Sequence, residues 1–254
     1  MRPSSTADVQ LQTPWDWPRL RLLLVTLRRD LRIQVRQGFI VASALVVAVM
    51  LAVLQWIPQE MRIPMAPLLI FGELFMGTFF FLAALLILEK EEGSLAALAV
   101  TPLPFGFYLG SKALVLTGIV AGESLLLVLL GLRVSFDAAA LFAGVMGMGI
   151  IMTLLGFLAA ARHDSVNTFL FPSMLWATGL VLPFPAAFGM APYWVTAWHP
   201  VAAGMGLLQG AFARRAWIWT LADTAILAGW ALLLAWLCGK AYRRWIVQRG
   251  GWNV

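Results

Sequence analysis

Seven acidic side chains in this sequence stand where chemistry, or the mechanical use of charge, is plausible. Glu89, Glu91 and Glu92 surround Lys90 in one loop, and Gly93 and Ser94 follow at once. Glu73, Glu123 and Asp223 lie inside long apolar runs. Asp164 is the seventh, in the loop from Arg162 to Asn167, which offers a smaller partner contact or simply a topological stop through Arg162. No nucleotide chemistry is encoded here. The three lysines are Lys90, Lys112 and Lys240, and none sits in the G-x-x-x-x-G-K-S/T setting that cradles a triphosphate. Neither HExxH nor GxSxG occurs, and no aspartates pair at helical spacing. His163 and His199 are far apart, and Cys238 has no second cysteine, so neither a metal site nor an intrachain disulfide is expected.

The elements that must position these acids are membrane helices. The chain has 254 residues, 61% of them hydrophobic and 12% charged, whereas a water-soluble domain is about 25% charged. Its net charge of +6 gathers toward the two ends rather than forming a basic stripe, so a membrane topology signal is expected and nucleic acid is not. A span needs about 20 apolar residues. Six runs qualify, near 39–57, 66–88, 106–132, 138–161, 168–188 and 216–239. They are continuous runs rather than alternating ones, so the predicted fold is all-α, a polytopic membrane protein with six transmembrane helices. The first strongly apolar stretch begins near Phe39, after a long polar and basic lead. It therefore reads as a retained span rather than a cleaved signal, with a disordered tail over the first dozen residues.

Charge fixes the expected orientation. With the N-terminus inside, 14 of the Lys and Arg residues are cytoplasmic, while the 4 outside are Arg62, Arg133, Arg214 and Arg215. Both termini are then cytoplasmic. Residues 1–38 form a tail and an interfacial helix, 39–239 the transmembrane domain, and 240–254 a basic tail. Leu20, Leu23, Leu24, Leu27, Leu31 and Val35 fall near one stripe of a basic helix over 17–37, which suits the inner headgroup layer or a simple topology anchor. The segment 194–213 is apolar but broken by Pro200, Gly204, Gly206 and Gly210. It is read as an outer re-entrant or interfacial element before the last span.

The loop 88–112 has the most specific pattern. Gly93 can take the left-handed conformation that closes a helix, and Ser94 can cap a new one. Leu95 to Val100 make one to two turns, with Leu95, Leu98 and Ala99 on one side, before Pro102 and Pro104 intervene. This predicts a short, double-hinged helix whose apolar knob fills a groove on another protein. The same residues also fit an ordinary solvated loop. Glu73, Glu123 and Asp223 read either as neutral or ion-paired structural groups or as an anionic lining for cargo. Counting residues places all three in the outer half of their spans, where one layer could hold them with the outer arginines.

The loop resembles the coupling loop of the ABC-2 class of ABC transporter permeases through Glu89, Lys90, Glu91, Gly93, Ser94, Leu95, Pro102 and Lys112. The stretches RRDLRIQVRQGF, FLAAARHDSVNTFL, WHPVAAGMGLLQGAF and YRRWIVQRGG extend the likeness to the fluoroquinolone export permease subgroup. That resemblance implies a non-enzymatic transport subunit in a bacterial inner or plasma membrane, paired with a second permease subunit and driven by a cytoplasmic ATP-binding subunit. ATP and Mg would be used by that partner, and no cofactor would be bound by this chain. It further implies an ATPase-coupling interface of Glu89, Lys90, Glu91, Glu92, Gly93, Ser94, Leu95, Leu98 and Pro102, and a second span close to the permease dimer axis. Two other readings stay open: an ion-coupled secondary transporter using Glu73, Glu123 or Asp223, and a heme-export permease of the cytochrome-maturation type.

Overall fold

The computed structural model describes residues 17–36, 38–99, 103–213 and 215–247. The expected disordered tail, Val100, Thr101, Pro102, Arg214 and Arg249 lie outside the described residues. All regular structure among the described residues is helical, and six helices are long and apolar enough to cross a membrane.

The basic helix forms as α1, Trp17–Arg36. Gly38, at φ 75°, turns the chain into α2, Phe39–Trp56. The second span is α3 (Gln59–Leu74), a π-helical segment (Phe75–Phe80) and α4 (Phe81–Glu91). It starts well before the expected 66, because Pro64 and Pro67 sit within the first turns without ending the helix and the polar outermost turn carries no hydropathy signal. After the short α5, Ser94–Ala99, come α6 (Phe105–Leu126) and a second π-helical segment (Leu127–Leu132). Asp137 caps α7, Ala138–Ala160, by accepting from the amides of Ala139 and Ala140 at 2.9 and 3.2 Å. Ser165 does the same for α8, Val166–Val181, through Thr168. Pro183 interrupts the fifth span, and α9 (Phe184–Ala187) completes it. The last span is α11, Trp217–Tyr242, extended by a third π-helical segment, Arg243–Val247.

The segment expected to be re-entrant contains α10, Pro200–Gly210. It does not cross; it is covered, with Val201, Ala203, Met205, Leu207 and Leu208 buried against α3, α7 and α11. Glycines allow the approach. A methyl group at Gly144 would touch Leu207 and Leu208 at 3.2 and 3.1 Å. The central helix is α7, packed on α3, α4, α6, α8, α10 and α11. A methyl at Gly156 would strike the backbone carbonyl of Phe79, so α7 lies directly on the first π-helical segment.

The apolar stripe of α1 divides. Leu24, Leu31 and Val35 are exposed, while Asp30 and Gln34 are buried against α6. The helix therefore turns Asp30 and Gln34 toward protein and leaves both leucines and arginines outward, as a helix at a lipid headgroup layer can. The side chains of Leu20 and Leu23 lie outside the described residues.

Candidate functional site

The charged end of α4 makes an elbow. The Glu92 amide donates to Leu88 O at 2.9 Å, and the Gly93 amide to Lys90 O at 3.1 Å. Gly93 then turns the chain at φ 71°, a conformation that favours glycine. Ser94 was expected to cap the next helix. Instead it is the first residue of α5, and its hydroxyl donates back to Glu89 O at 3.1 Å, closing α4. Glu91, Glu92, Gly93 and Ser94 are exposed.

The apolar knob faces the other way from expectation. Leu95 is 2% exposed, and Leu98 packs against the same core. α5 rests on α4 and on the third π-helical segment. The chain itself offers the nearest apolar groove, so burying Leu95 there removes it from water without any partner. What remains outward is the polar rim Glu91–Ser94.

Two residues of the proposed coupling set bolt this elbow to the bundle. Glu89 accepts from Lys112 Nζ of α6 at 2.6 Å and from the Tyr108 hydroxyl. Lys112 is 4% exposed, so the pair is largely withdrawn from water. Beside it, Ser111 donates its hydroxyl to Asp30 of α1. Burial pushes the Asp30 carboxyl above its ordinary value and Glu89 adds to this, while Lys112 and the Ser111 bond pull it back. Lys90 reaches the end of α7. Its ammonium donates to Ala161 O at 2.5 Å, His163 O at 2.8 Å and Ala160 O at 3.4 Å, with Asp164 at 3.7 Å. A cation on the last carbonyls of a helix satisfies groups the helix cannot and complements its dipole. Burial, then the nearby positive charges of Arg162 and Lys90, hold the His163 pKa below its ordinary value.

The structure brings two of the three intramembrane acids together. Glu73 and Glu123 meet across α3 and α6, with Ser43 of α2 against Glu123. Ser124 donates to Glu73 Oε2 at 3.1 Å. Within the span Phe105–Leu132, Glu123 lies 9 residues from Leu132, about 14 Å at 1.5 Å per residue, on the side of the middle that residue counting gave. Asp223 is elsewhere, 2% exposed and bound to Arg215 Nη1 at 2.5 Å. Gly206 leaves the space for that ion pair, since a methyl there would meet both groups. Among the described residues, Arg62 and Arg133 are not placed against these acids by any contact. Arg62 donates to Ile57 O and Gln55 O at 3.0 and 3.3 Å, and Arg133 ends a π-helical segment at φ 54°.

The model of the fluoroquinolones export permease protein family matches residues 21–250. This chain belongs to that family. Two relatives, each named a fluoroquinolones export permease protein, come from two strains of Mycobacterium tuberculosis, CDC 1551 and H37Rv. Each is 28% identical to this permease over 242 residues, covering 90% of this chain and 98% of the relative. No solved structure matches the chain. The family is of the ABC-2 type that the elbow pattern resembles.

Tyr108, Ser111 and Asp30 were not singled out from the sequence of this permease. Asp30 carried a signal, because it is the lone acid in a helix of six arginines. Also unforeseen is an aromatic cleft of ≈ 420 Å³ between α7, α8, α10 and α11, where Trp176, Trp198 and Trp230 surround His199. His199 Nδ1 accepts from the Val201 amide at 3.2 Å, so its proton belongs on Nε2. Burial lowers its pKa, which favours this neutral form.

Proposed function

We propose that this permease is the membrane subunit of an ATP-driven exporter, and that a separate cytoplasmic ATP-binding subunit docks at the Glu91–Ser94 rim. The observation that carries this reading is the polar elbow: exposed at its tip, yet fixed at its base to two long helices. A push on α5 reaches α6 through the Glu89–Lys112 ion pair and α7 through Lys90 on its terminal carbonyls. Because α7 packs on most of the other helices, displacing its end displaces the bundle. Lever action of this kind needs stiff, buried connections, and Glu89 and Lys90 provide them.

In this reading Glu89, Lys90, Leu95 and Leu98 keep the lever rigid, while Glu91, Glu92, Gly93 and Ser94 meet the partner. A second permease subunit completes the pathway, and the chain lies in a bacterial inner or plasma membrane with both termini cytoplasmic. The exposed apolar faces of α2 (Val41, Leu45, Val49) and α8 (Phe171, Met174, Leu175) are covered by lipid or by that second subunit. The cargo class is a small molecule, drug or lipid-like compound, and the relatives' name makes fluoroquinolones the first compounds to assay.

The decisive experiment is co-purification of ATPase activity with the tagged permease from native membranes. ATPase activity is expected with the natural sequence and is expected to vanish in Glu91→Lys/Glu92→Lys, whose two exposed positions leave the fold intact. A natural-sequence preparation without ATPase, or a double variant that retains it, would refute the docking site. An ion-coupled transporter, suggested by the Glu73–Glu123 pair, would instead keep exporting when ATP is depleted and the proton gradient is maintained.

A further inference from the structure

Among the described residues no cation acts on Glu73 or Glu123, and Arg133, which follows the second π-helical segment, is exposed. The helices around the pair, Phe39–Trp56, Ala138–Ala160 and Pro200–Gly210, and the π-helical segments Phe75–Phe80 and Leu127–Leu132, contain no Asp, Glu, Lys, Arg or His. On α6 the only other charge is Lys112, which is engaged by Glu89. On α3, Glu60 and Arg62 lie at the far end. The arginines of α1, Arg28, Arg29, Arg32 and Arg36, are exposed, and its Asp30 is bound by Ser111. On α11, Asp223 is held by Arg215, and Lys240 lies over the Trp236 ring at 3.5 Å.

The pair is also short of a donor. Glu73 is 3% exposed, Ser124 serves only its Oε2, and its Oε1 is buried without a hydrogen-bond partner. That oxygen belongs to a carboxyl lying within hydrogen-bonding reach of Glu123. Two carboxylates in contact, far from water and without a counter-charge, cannot both be ionised. A single proton between them removes one charge and supplies the missing donor. Both helices also become π-helical close to their acids, at Phe75 and at Leu127, a distortion frequent at functional positions.

We propose that Glu73 and Glu123 form a proton-exchange site between two membrane-spanning helices, holding one proton between them in the resting permease and releasing it to water. The exchange route runs beside α2. Glu123 is the more exposed partner at 9%, and α2, which brings Ser43 to it, has only 22% of its length buried within the chain. The site requires neither ATP nor cargo, so its failure and the failure of the docking proposal are separate results.

The test is labelling by dicyclohexylcarbodiimide, an apolar reagent that modifies protonated carboxyls in apolar surroundings. Purified full-length permease in lipid nanodiscs is treated at a series of pH values and mapped by peptide mass spectrometry. One adduct per chain is expected, on Glu73 or Glu123, falling roughly fivefold or more between about pH 6 and about pH 10 as the shared proton is lost. Glu73→Gln and Glu123→Gln should each keep an adduct on the remaining acid, the double variant should show none, and Asp223 should stay unmodified. An unmodified pair, two adducts on one chain, or a yield independent of pH would each overturn the proposal; the last would signify a proton that never leaves.

Discussion

Lys112→Met tests the lever at its base. Methionine keeps most of the apolar stem and removes the ammonium. The ammonium is bonded to Glu89 at 2.6 Å, with side chains 5% and 21% exposed. Removing one partner of a fully buried pair costs about 3–5 kcal/mol, because the other charge stays behind unpaired. Glu89 is one-fifth open to solvent and keeps its bond from the Tyr108 hydroxyl, so the lower end, about 3 kcal/mol, applies. Asp30 works against that discount, since Lys112 is the leading group holding its carboxyl toward ionisation.

For a chain of this length about 1 kcal/mol moves Tm by roughly 2–4 °C, so a fall of about 6–12 °C is expected. Fluorescence-detected size-exclusion chromatography after a temperature series measures it in detergent. Glu89→Gln in the same background removes the stranded charge and should recover at least about half of the loss, a positive coupling in the double-mutant cycle. A Tm change under about 2 °C, or additive single effects, would refute the reasoning that this ion pair holds α4 to α6.

Three further outcomes follow from the same geometry. For Asp30, whose folded pKa is raised, stability present below the unfolded value of 3.8 is lost as pH rises through the folded pKa. Asp30→Asn should therefore gain Tm relative to the natural chain as pH rises from about 4, and a constant difference would contradict this. Gly156→Ala would drive a methyl into the Phe79 carbonyl, with Phe79 C and Cα both at 3.2 Å; the backbone cannot swing aside, and a loss of about 1–3 kcal/mol is expected in thermal unfolding. Arg215→Met removes the guanidinium held at 2.5 Å from Asp223, which is 2% exposed; a loss of about 2–3 kcal/mol is expected, reduced because the arginine is partly solvated, and Arg215→Met/Asp223→Leu should restore most of it.

The spans were legible because twenty apolar residues in a row leave few alternatives. The elbow was legible because Gly93 carries a local backbone preference that the chain obeys, whereas Ser94 closes α4 instead of capping α5. Length and composition did not reveal which way Leu95 points, since a six-residue helix can turn one leucine toward its own bundle or toward a partner with equal local ease. The outer start of the second span was hidden because Gln59–Ile63 is helical but not apolar. The meeting of Glu73 with Glu123 was hidden for a different reason: it depends on the register between two helices, and no local pattern sets that. Asp223 and Arg215 were legible only as members of one group of acids and arginines at a shared level, since eight residues and the start of α11 separate them.

The second span carries acids at two depths, Glu73 within the membrane and Glu89 at the elbow, and the π-helical stretch Phe75–Phe80 lies between them. Each residue of an α-helix advances the azimuth by about 100°. Taking one residue out of that stretch would rotate the two acids relative to each other by about that angle, so that only one could keep its partner. The widened turn is thus the phase setting between the centre of the permease and its lever, written into the sequence as one residue.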